Sequence, residues 1–448
     1  MEGFELSAAV SADNVFLINF AELQERLDPL FYNTVHGFSL VKHTTFPVKK
    51  LSEVIDMQRG RFGHRPRNEP KFYGGQYPFI QTGDVVKASQ TNAPITYTQT
   101  LNELGLQTSR LFDKNVMVIT IAANIGDTAI LDYPACFPDS LIGITPKTEA
   151  LTLNYLNIYF KFLKPYLEDI APQSAQKNIN YQQLSPVPIV VPPLAIQQNI
   201  TDLYRDVHQQ KQQKEQQAQT LLDGIDGYLL NELGITLPQQ DNRLEKRMFT
   251  VPFSEVTGGS LSPDNLLKKK KLNFSSKYKF YVLGTIAHMY QPQTITQQDM
   301  TESGVYKVYG ANGHIGFFDK YNHENSEVLV TCRGATCGEI NLSEHKSWIT
   351  GNAMVVKPIV DFVIQSYLFE ILKCLDMSVV ITGSAQPQIT RENLKRFSIP
   401  VPPIEVQNEI VTYISQIRAQ AKQLQADAAQ VLATAKAEIE RMILGENG

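Results

Sequence analysis

The chain has 448 residues, 43% hydrophobic and 19% charged, with a formal net charge of −4. That length predicts at least two units, each large enough to bury a core, and the apolar share excludes a largely disordered chain. No run approaches the roughly eighteen apolar residues of a membrane-spanning helix, and the acidic balance argues against a protein that coats nucleic acid by sheer positive charge.

Taken in chain order, the first distinctive window is Met57–Asn68, where Arg59, Arg61, Arg65 and Arg67 stand with His64 and no acid. Gly60 and Gly63 predict a flexible loop there, interleaved with or followed by Phe62, Phe72 and Tyr73. Lys and Arg neutralise phosphates and release counterions, and the arginine fork can read guanine edges, so Arg59, Arg61, His64, Arg65 and Arg67 are candidate DNA contacts. A β-branched run at 116–121 predicts a strand, and 153–167 an apolar helix. Next comes Ser174-Ala-Gln176, a polar loop, then a strand over 187–191 that is ended by Pro192-Pro193.

Beyond the two prolines, Ile200, Tyr204, Val207, Lys211, Lys214, Ala218, Leu221 and Ile225 step by four and three, the seam of a coiled coil. Lys211 and Lys214 occupy core-type positions of that seam, where a charge packs only by snorkelling. A polar linker, 234–248, follows. The second acid-free window, Asn265–Gln298, carries Lys268, Lys269, Lys270, Lys271, Lys277 and Lys279 with Phe274, Tyr278 and Tyr281. These lysines are candidate phosphate contacts, although a solvated loop also accounts for such a run.

From there the order of elements repeats. Residues 174–200 align with 384–410 without a gap, and eleven of the 27 pairs are identical, among them Ser174/Ser384, Gln176/Gln386, Pro192/Pro402, Pro193/Pro403 and Gln197/Gln407. Upstream, 115–126 matches 327–338, and 16–29 matches 249–263 with one insertion. Strands over 327–331 and 397–401 and a helix over 362–375 complete the second copy. Its closing seam runs Ile410, Ile414, Ile417, Ala421, Leu424, Ala428, Val431 and Ala435. Two matched seams can satisfy one another as an antiparallel pair about 50–60 Å long.

The predicted fold is therefore α+β, two globular heads separated by a pair of long antiparallel coiled-coil helices, with a pseudo-twofold internal repeat. Its expected divisions are an N-terminal segment at 1–33, a first head at 34–195, a spacer helix at 196–233, the linker at 234–248, a second head at 249–404 and a second spacer helix at 405–446. A twofold-like object with two heads suits a duplex with two half-sites. Ser174, Gln176, Ser384 and Gln386 join the candidate DNA contacts, but residues shared by heads that read different sequences cannot discriminate between bases. A structural turn, or a phosphate contact common to both heads, fits them better.

Catalytic constellations are missing. The only Pro-Pro pairs follow Val191 and Val401, whereas an amino-methyltransferase motif needs a polar residue before the pair and an aromatic after it. The Gly310–Gly313 and Arg333–Gly338 runs lack the G-K-[ST] of a nucleotide cradle and read as strand-edge turns. There is no metal spacing of His and Cys, so no catalytic residue, metal site or cofactor is expected in this chain. Cys136, Cys332, Cys337 and Cys374 form no C-x-x-C pair, and no basic residue precedes Arg26, which predicts free thiols in a cytoplasmic protein.

The RLDPLFY stretch at 26–32, the SAQ-x-x-I loops at 174–179 and 384–389, and the strand-PP-[LI]-x-x-Q blocks at 191–197 and 401–407 together resemble the specificity subunit of type I restriction-modification enzymes. The second copy departs from the RLDP pattern, with Ser260-Leu-Ser-Pro263 in its place. The resemblance covers essentially the whole chain. It implies two target-recognition domains that bind the parts of a split DNA target across a fixed gap. The helices would space them and dock two methyltransferase subunits, and restriction subunits would add translocation and cleavage. S-adenosylmethionine, ATP and magnesium would belong to those partners. A coiled-coil interaction adaptor with two ligand-binding heads is the alternative from another class, and a self-sufficient nuclease a third.

Overall fold

The run at 116–121 is apolar at every position but Thr120, the mark of a strand buried on both faces. It forms the strand Met117–Thr120, and the two-residue alternation of a strand sorts its side chains into two cores. Met117 and Ile119 enter one core with the helix Leu153–Ile170, whereas Val118 enters another with Phe112, Phe137 and Leu141. The computed structural model describes residues 41, 43–63, 68–171, 178–236, 275–311, 313–383 and 386–446. They belong to two compact α+β units, Met1–Lys214 with Asp427–Gly448, and Glu215–Ala426.

In the first unit the antiparallel sheet runs in the order Ile55–Arg59, Leu141–Pro146, Met117–Thr120, Thr128–Ile130. A second sheet pairs Gln99–Leu101, Tyr73–Phe79, Ala135–Cys136 and Leu111–Phe112. Gly143 leaves room for the second sheet's Phe112, since a Cβ there would meet Phe112 at 2.8 Å and Val116 at 3.0 Å. The second unit repeats the main sheet as Ala287–Tyr290, Ala353–Pro358, Val328–Thr331, Ile340–Leu342. Val328 and Val330 join the larger core there, while Leu329 and Val355 join Tyr309 and Ile349 on the other face.

Each repeat then ties its sheet, its helix and its Pro-Pro turn together with the same bonds. Tyr155 donates its hydroxyl to the carbonyl of Val190 at 2.8 Å, and Tyr367 donates to that of Pro400 at 2.6 Å. Gln197, fully buried, donates to the carbonyls of Ala150 and Pro192 at 2.7 and 2.8 Å and accepts from the Thr152 amide at 2.9 Å. Gln407, equally buried, donates to Phe362 and Pro402, each at 2.8 Å, and accepts from the Ile364 amide at 3.0 Å. The glutamine that recurs after Pro-Pro is thus a clamp between the start of a long helix and the loop leading into the shorter one.

The long helices are Leu194–Glu232 and Ile404–Leu444, starting two residues and one residue earlier than the predicted spacers. In the first unit Ile200 packs in one core with Ile439 and Ile443, and Lys214 Nζ lies 3.8 Å from Asp427. Counting up on one helix and down on the other makes that pairing antiparallel. In the second unit Ile225, Leu229 and Leu233 share a core with Ile410 and Ile414, and the rings of Tyr228 and Tyr413 are 4.2 Å apart. That pairing is antiparallel too.

Both helices end on a left-handed glycine, Gly234 at φ 62° and Gly445 at φ 76°, the usual way to release a chain from helical geometry. The last carbonyls are then taken by the other repeat. Leu233 accepts from the Lys277 amide at 3.1 Å, and Leu444 accepts from the Thr45 amide at 2.9 Å. Each unit therefore contains the start of its own repeat's helix and the end of the other's.

Candidate nucleic-acid interface

Arg59 closes its strand and stays exposed, its Nε donating to the Asp139 carbonyl at 2.5 Å. Arg61, also exposed, lies two residues on, with its amide on the Phe137 carbonyl at 3.0 Å. Arg110 donates from Nη1 to the Arg59 carbonyl at 2.7 Å, which brings a third guanidinium to the same margin from 51 residues away. No local pattern announces Arg110; only the pairing of 61–63 with 108–109 places it there. His64, Arg65 and Arg67 lie outside the described residues.

The described part of this window is not the flexible loop its glycines suggest. Gly60 is required for close approach, because a Cβ would fall 2.3 Å from the Pro138 carbonyl oxygen and 2.5 Å from the Phe137 ring. The amide of Gly63 is held by Thr108 at 2.9 Å. Nor are the neighbouring aromatics free for stacking on bases. Phe62 and Phe72 are buried in a cluster with Phe79, and the Phe62 and Phe79 centroids are 5.1 Å apart. The arginines are thereby mounted on a rigid support.

In the second unit Lys277 and Lys279 are exposed, each ammonium lying over a neighbouring ring, Tyr278 at 5.4 Å and Tyr281 at 5.0 Å. Lys277 also stands at the C-terminus of the first long helix, where positive charge meets the negative end of the helix dipole. Lys268, Lys269 and Lys270 lie outside the described residues.

Ser174, Gln176 and Ser384 are likewise outside, whereas Gln386 is exposed in a tight turn. There Thr382 and Gln388 exchange amide bonds at 2.8 Å, and Gly383 at φ 85° approaches the Gln386 carbonyl. The loop's following residue is stitched inward: Ile389 donates its amide to Cys332 at 2.9 Å, as Ile179 does to Ile121 in the first unit. Both acceptors begin a turn ending on a left-handed glycine, Gly338 or Gly126, whose amide returns to Thr331 or Thr120 at 2.9 Å. The Arg333–Gly338 run is accordingly a strand-edge turn, and it leaves Arg333 exposed beside Gln388.

All four cysteines are free thiols. Burial pushes Cys332 up to about 11 and Cys374 up to about 12, so both remain protonated and unreactive at neutral pH. Among the described residues there is no cluster of three or more His, Cys, Asp or Glu side chains able to hold a metal, and no helix is long and apolar enough to cross a membrane.

The sequence matches the type I restriction modification DNA specificity domain twice, over residues 44–221 and 275–432. It is 20% identical over 389 residues to the Escherichia coli type I restriction enzyme EcoprrI specificity subunit, covering 82% of this chain and 86% of that one. A solved structure titled for complex assembly and conformational transition of the type I R-M system superposes with a TM-score of 0.55 at 15% identity, covering 89% of this chain and 96% of that one. The S subunit from M. genitalium aligns over 90% of this chain and 96% of its own at 14% identity, with a TM-score of 0.45. With two copies of the specificity domain spanning most of its length, this chain belongs to the family of type I restriction-modification specificity subunits.

Proposed function

We propose that the chain is the non-catalytic DNA-reading subunit of its complex, each unit contacting one part of a split target across a fixed gap. The duplication carries this reading: the specificity domain occurs twice, and each copy folds into the same sheet, helix and clamp around differing exposed residues. Arg59, Arg61 and Arg110 supply charge for phosphates or forks for guanine edges in the first unit. The unbroken helices of 39 and 41 residues set the gap and dock two methyltransferase subunits, which extrude and modify the target base. Restriction subunits join the same complex in the cytoplasm. S-adenosylmethionine, ATP and magnesium act in those partners.

The test is an exchange of residues 34–170 for the matching segment of another family member, read in the assembled complex. One half of the modified sequence should change and the other should persist. Change in both halves, or in neither, overturns the reading.

A further inference from the structure

At one margin of the main sheet the two units repeat the same run of hydrogen bonds. In the first, the turn before the strand Leu141–Pro146 closes with the Leu141 amide on the Pro138 carbonyl at 3.1 Å. The Asp139 carbonyl accepts from Arg59 Nε at 2.5 Å, the Ser140 carbonyl from the Ile121 amide at 3.1 Å, and the Ile121 carbonyl from the Ile179 amide at 2.9 Å. In the second, the Ala353 amide closes the turn on the Thr350 carbonyl at 3.0 Å. The Gly351 carbonyl accepts from Gln291 Nε2 at 2.9 Å, the Asn352 carbonyl from the Cys332 amide at 3.0 Å, and the Cys332 carbonyl from the Ile389 amide at 2.9 Å. Every link has its counterpart.

Sheet register gives the same correspondence independently. Asp56 pairs with Thr145 as His288 pairs with Lys357, and Gln58 with Gly143 as Tyr290 with Val355. The next residue is Arg59 in one unit and Gln291 in the other. All the other bonds of the run join backbone to backbone, so the support is kept while the one side chain that takes part changes its type. Each run ends on the isoleucine that follows the SAQ loop, which ties the changed side chain and the shared loop to one margin. Position is kept while residue type differs, as two heads that read different sequences require.

Both side chains are exposed, and the bond to the turn leaves their recognition groups unused. With Nε held, the two terminal nitrogens of Arg59 have no partner among the described residues. They form a fork of two donors, which matches the two acceptors, O6 and N7, on the major-groove edge of guanine. Gln291 gives an amide hydrogen to Gly351 and has the weakly bonding Cys332 thiol as another neighbour, while its Oε1 has no partner among the described residues. An acceptor beside a donor is the complement of an adenine edge, with its N6 amino group and N7. The anchoring bond also fixes each side chain beforehand, so less rotamer freedom is lost on contact. Positive charge for phosphates stands close by, on Arg61 and Arg110 in the first unit and on exposed Arg333, next in sequence to Cys332, in the second.

We propose that Arg59 and Gln291 occupy one base-reading position in the two units, Arg59 selecting a guanine in one half of the split target and Gln291 an adenine in the other. The assignment rests on the DNA-reading function proposed above.

The full chain, assembled with the methyltransferase subunits proposed above, is used to enrich binding sites from a randomised duplex library, and the bound DNA is sequenced. Wild type should enrich a split motif. Gln291→Arg should change one position of one half from adenine to guanine, and Arg59→Gln one position of the other half from guanine to adenine, with the gap and all other positions kept. Gln291→Ala and Arg59→Ala should lower the preference at the same two positions about tenfold, the order expected for losing a bidentate base contact. A side chain that only steadied its turn would weaken binding to all sequences alike and change no base.

An unchanged motif in both variants of either residue overturns the proposal, as does uniform weakening or a change spread over both halves. A wild-type chain that enriches no split motif fails the DNA-reading function and takes this assignment with it. A split motif in wild type that the variants leave unaltered fails this assignment alone.

Discussion

Replacing Gln197 by Met keeps the length of the side chain and removes its amide. Three hydrogen bonds vanish, those to the carbonyls of Ala150 and Pro192 and that from the Thr152 amide. The Gln197 site is fully buried and its bond to Pro192 is buried, so water cannot replace that partner, whereas the groups at 150 and 152 are partly accessible. Counting about 1–3 kcal/mol for the orphaned Pro192 carbonyl, about 1 kcal/mol for the two others together, and some gain from the apolar thioether, the net loss is about 2–3 kcal/mol. Hydrogen exchange of the intact chain localises the effect, with the 150–152 backbone losing protection while 362–364 keeps it. Gln407→Met should give the mirror result, exposing 362–364 and sparing 150–152. Unchanged protection and an unchanged denaturation midpoint in both variants would refute the idea that these glutamines clamp helix to head, and would leave their recurrence without a structural reason.

Lys161 donates to the Ser89 carbonyl at 3.0 Å, and burial lowers its pKa to about 8 from 10.5, with Lys164 and Lys436 adding repulsion against the attraction of Asp127. Between those values the unfolded chain binds the extra proton, so folding stability contributed by this site rises with pH from about 8 to 10.5. Denaturation across that window should show wild type gaining on Lys161→Met by roughly 2–3 kcal/mol, and a constant difference would contradict the burial argument. At Lys211 and Lys214 both side chains are half-buried in the seam, and Lys214 has only a 3.8 Å pairing with Asp427 at an accessible edge. Accessible-edge contacts of such lysines contribute up to about 1 kcal/mol each, less than burying two leucines returns, so Lys211→Leu with Lys214→Leu should raise the unfolding temperature; a fall would show that the lysines make a needed contact.

Much of this fold is legible in the sequence because burial is periodic there. The strands at 117–120 and 328–331 and the long helices lie within or close to where apolar spacing puts them, since runs of β-branched residues and a four-three seam each suit one local geometry. What periodicity does not carry is partnership across the chain. The cap on Leu444 comes from Thr45, 399 residues away, and nothing near either residue signals it. The same holds for Arg110, which reaches Arg59 only through strand pairing, and for Gln197 and Gln407, whose repetition is visible while their three bonds each are not.

The arginine window shows the opposite failure. Its composition suggests a flexible loop, yet Gly60 is there for contact with Phe137 and Pro138, and Phe62 serves the core. Glycine and phenylalanine have structural uses as common as their functional ones, and only packing tells them apart. A polar pocket of the second unit, lined by Tyr290, Glu327, Trp348 and Lys357 among others, is invisible for a related reason. Tyr290, Glu327, Trp348 and Lys357 come from separate strands and from the ends that join them, and no spacing rule brings them to one wall.

The proposed function requires one chain to read two separated parts of a DNA target. The most direct measurement is sequencing of modified bases in DNA from cells that express this chain with the methyltransferase subunits proposed above to join it, beside cells lacking only this chain. Modification should be confined to a split motif with one constant gap and be lost when the chain is absent. A continuous motif, a variable gap, or modification that persists without the chain would contradict it.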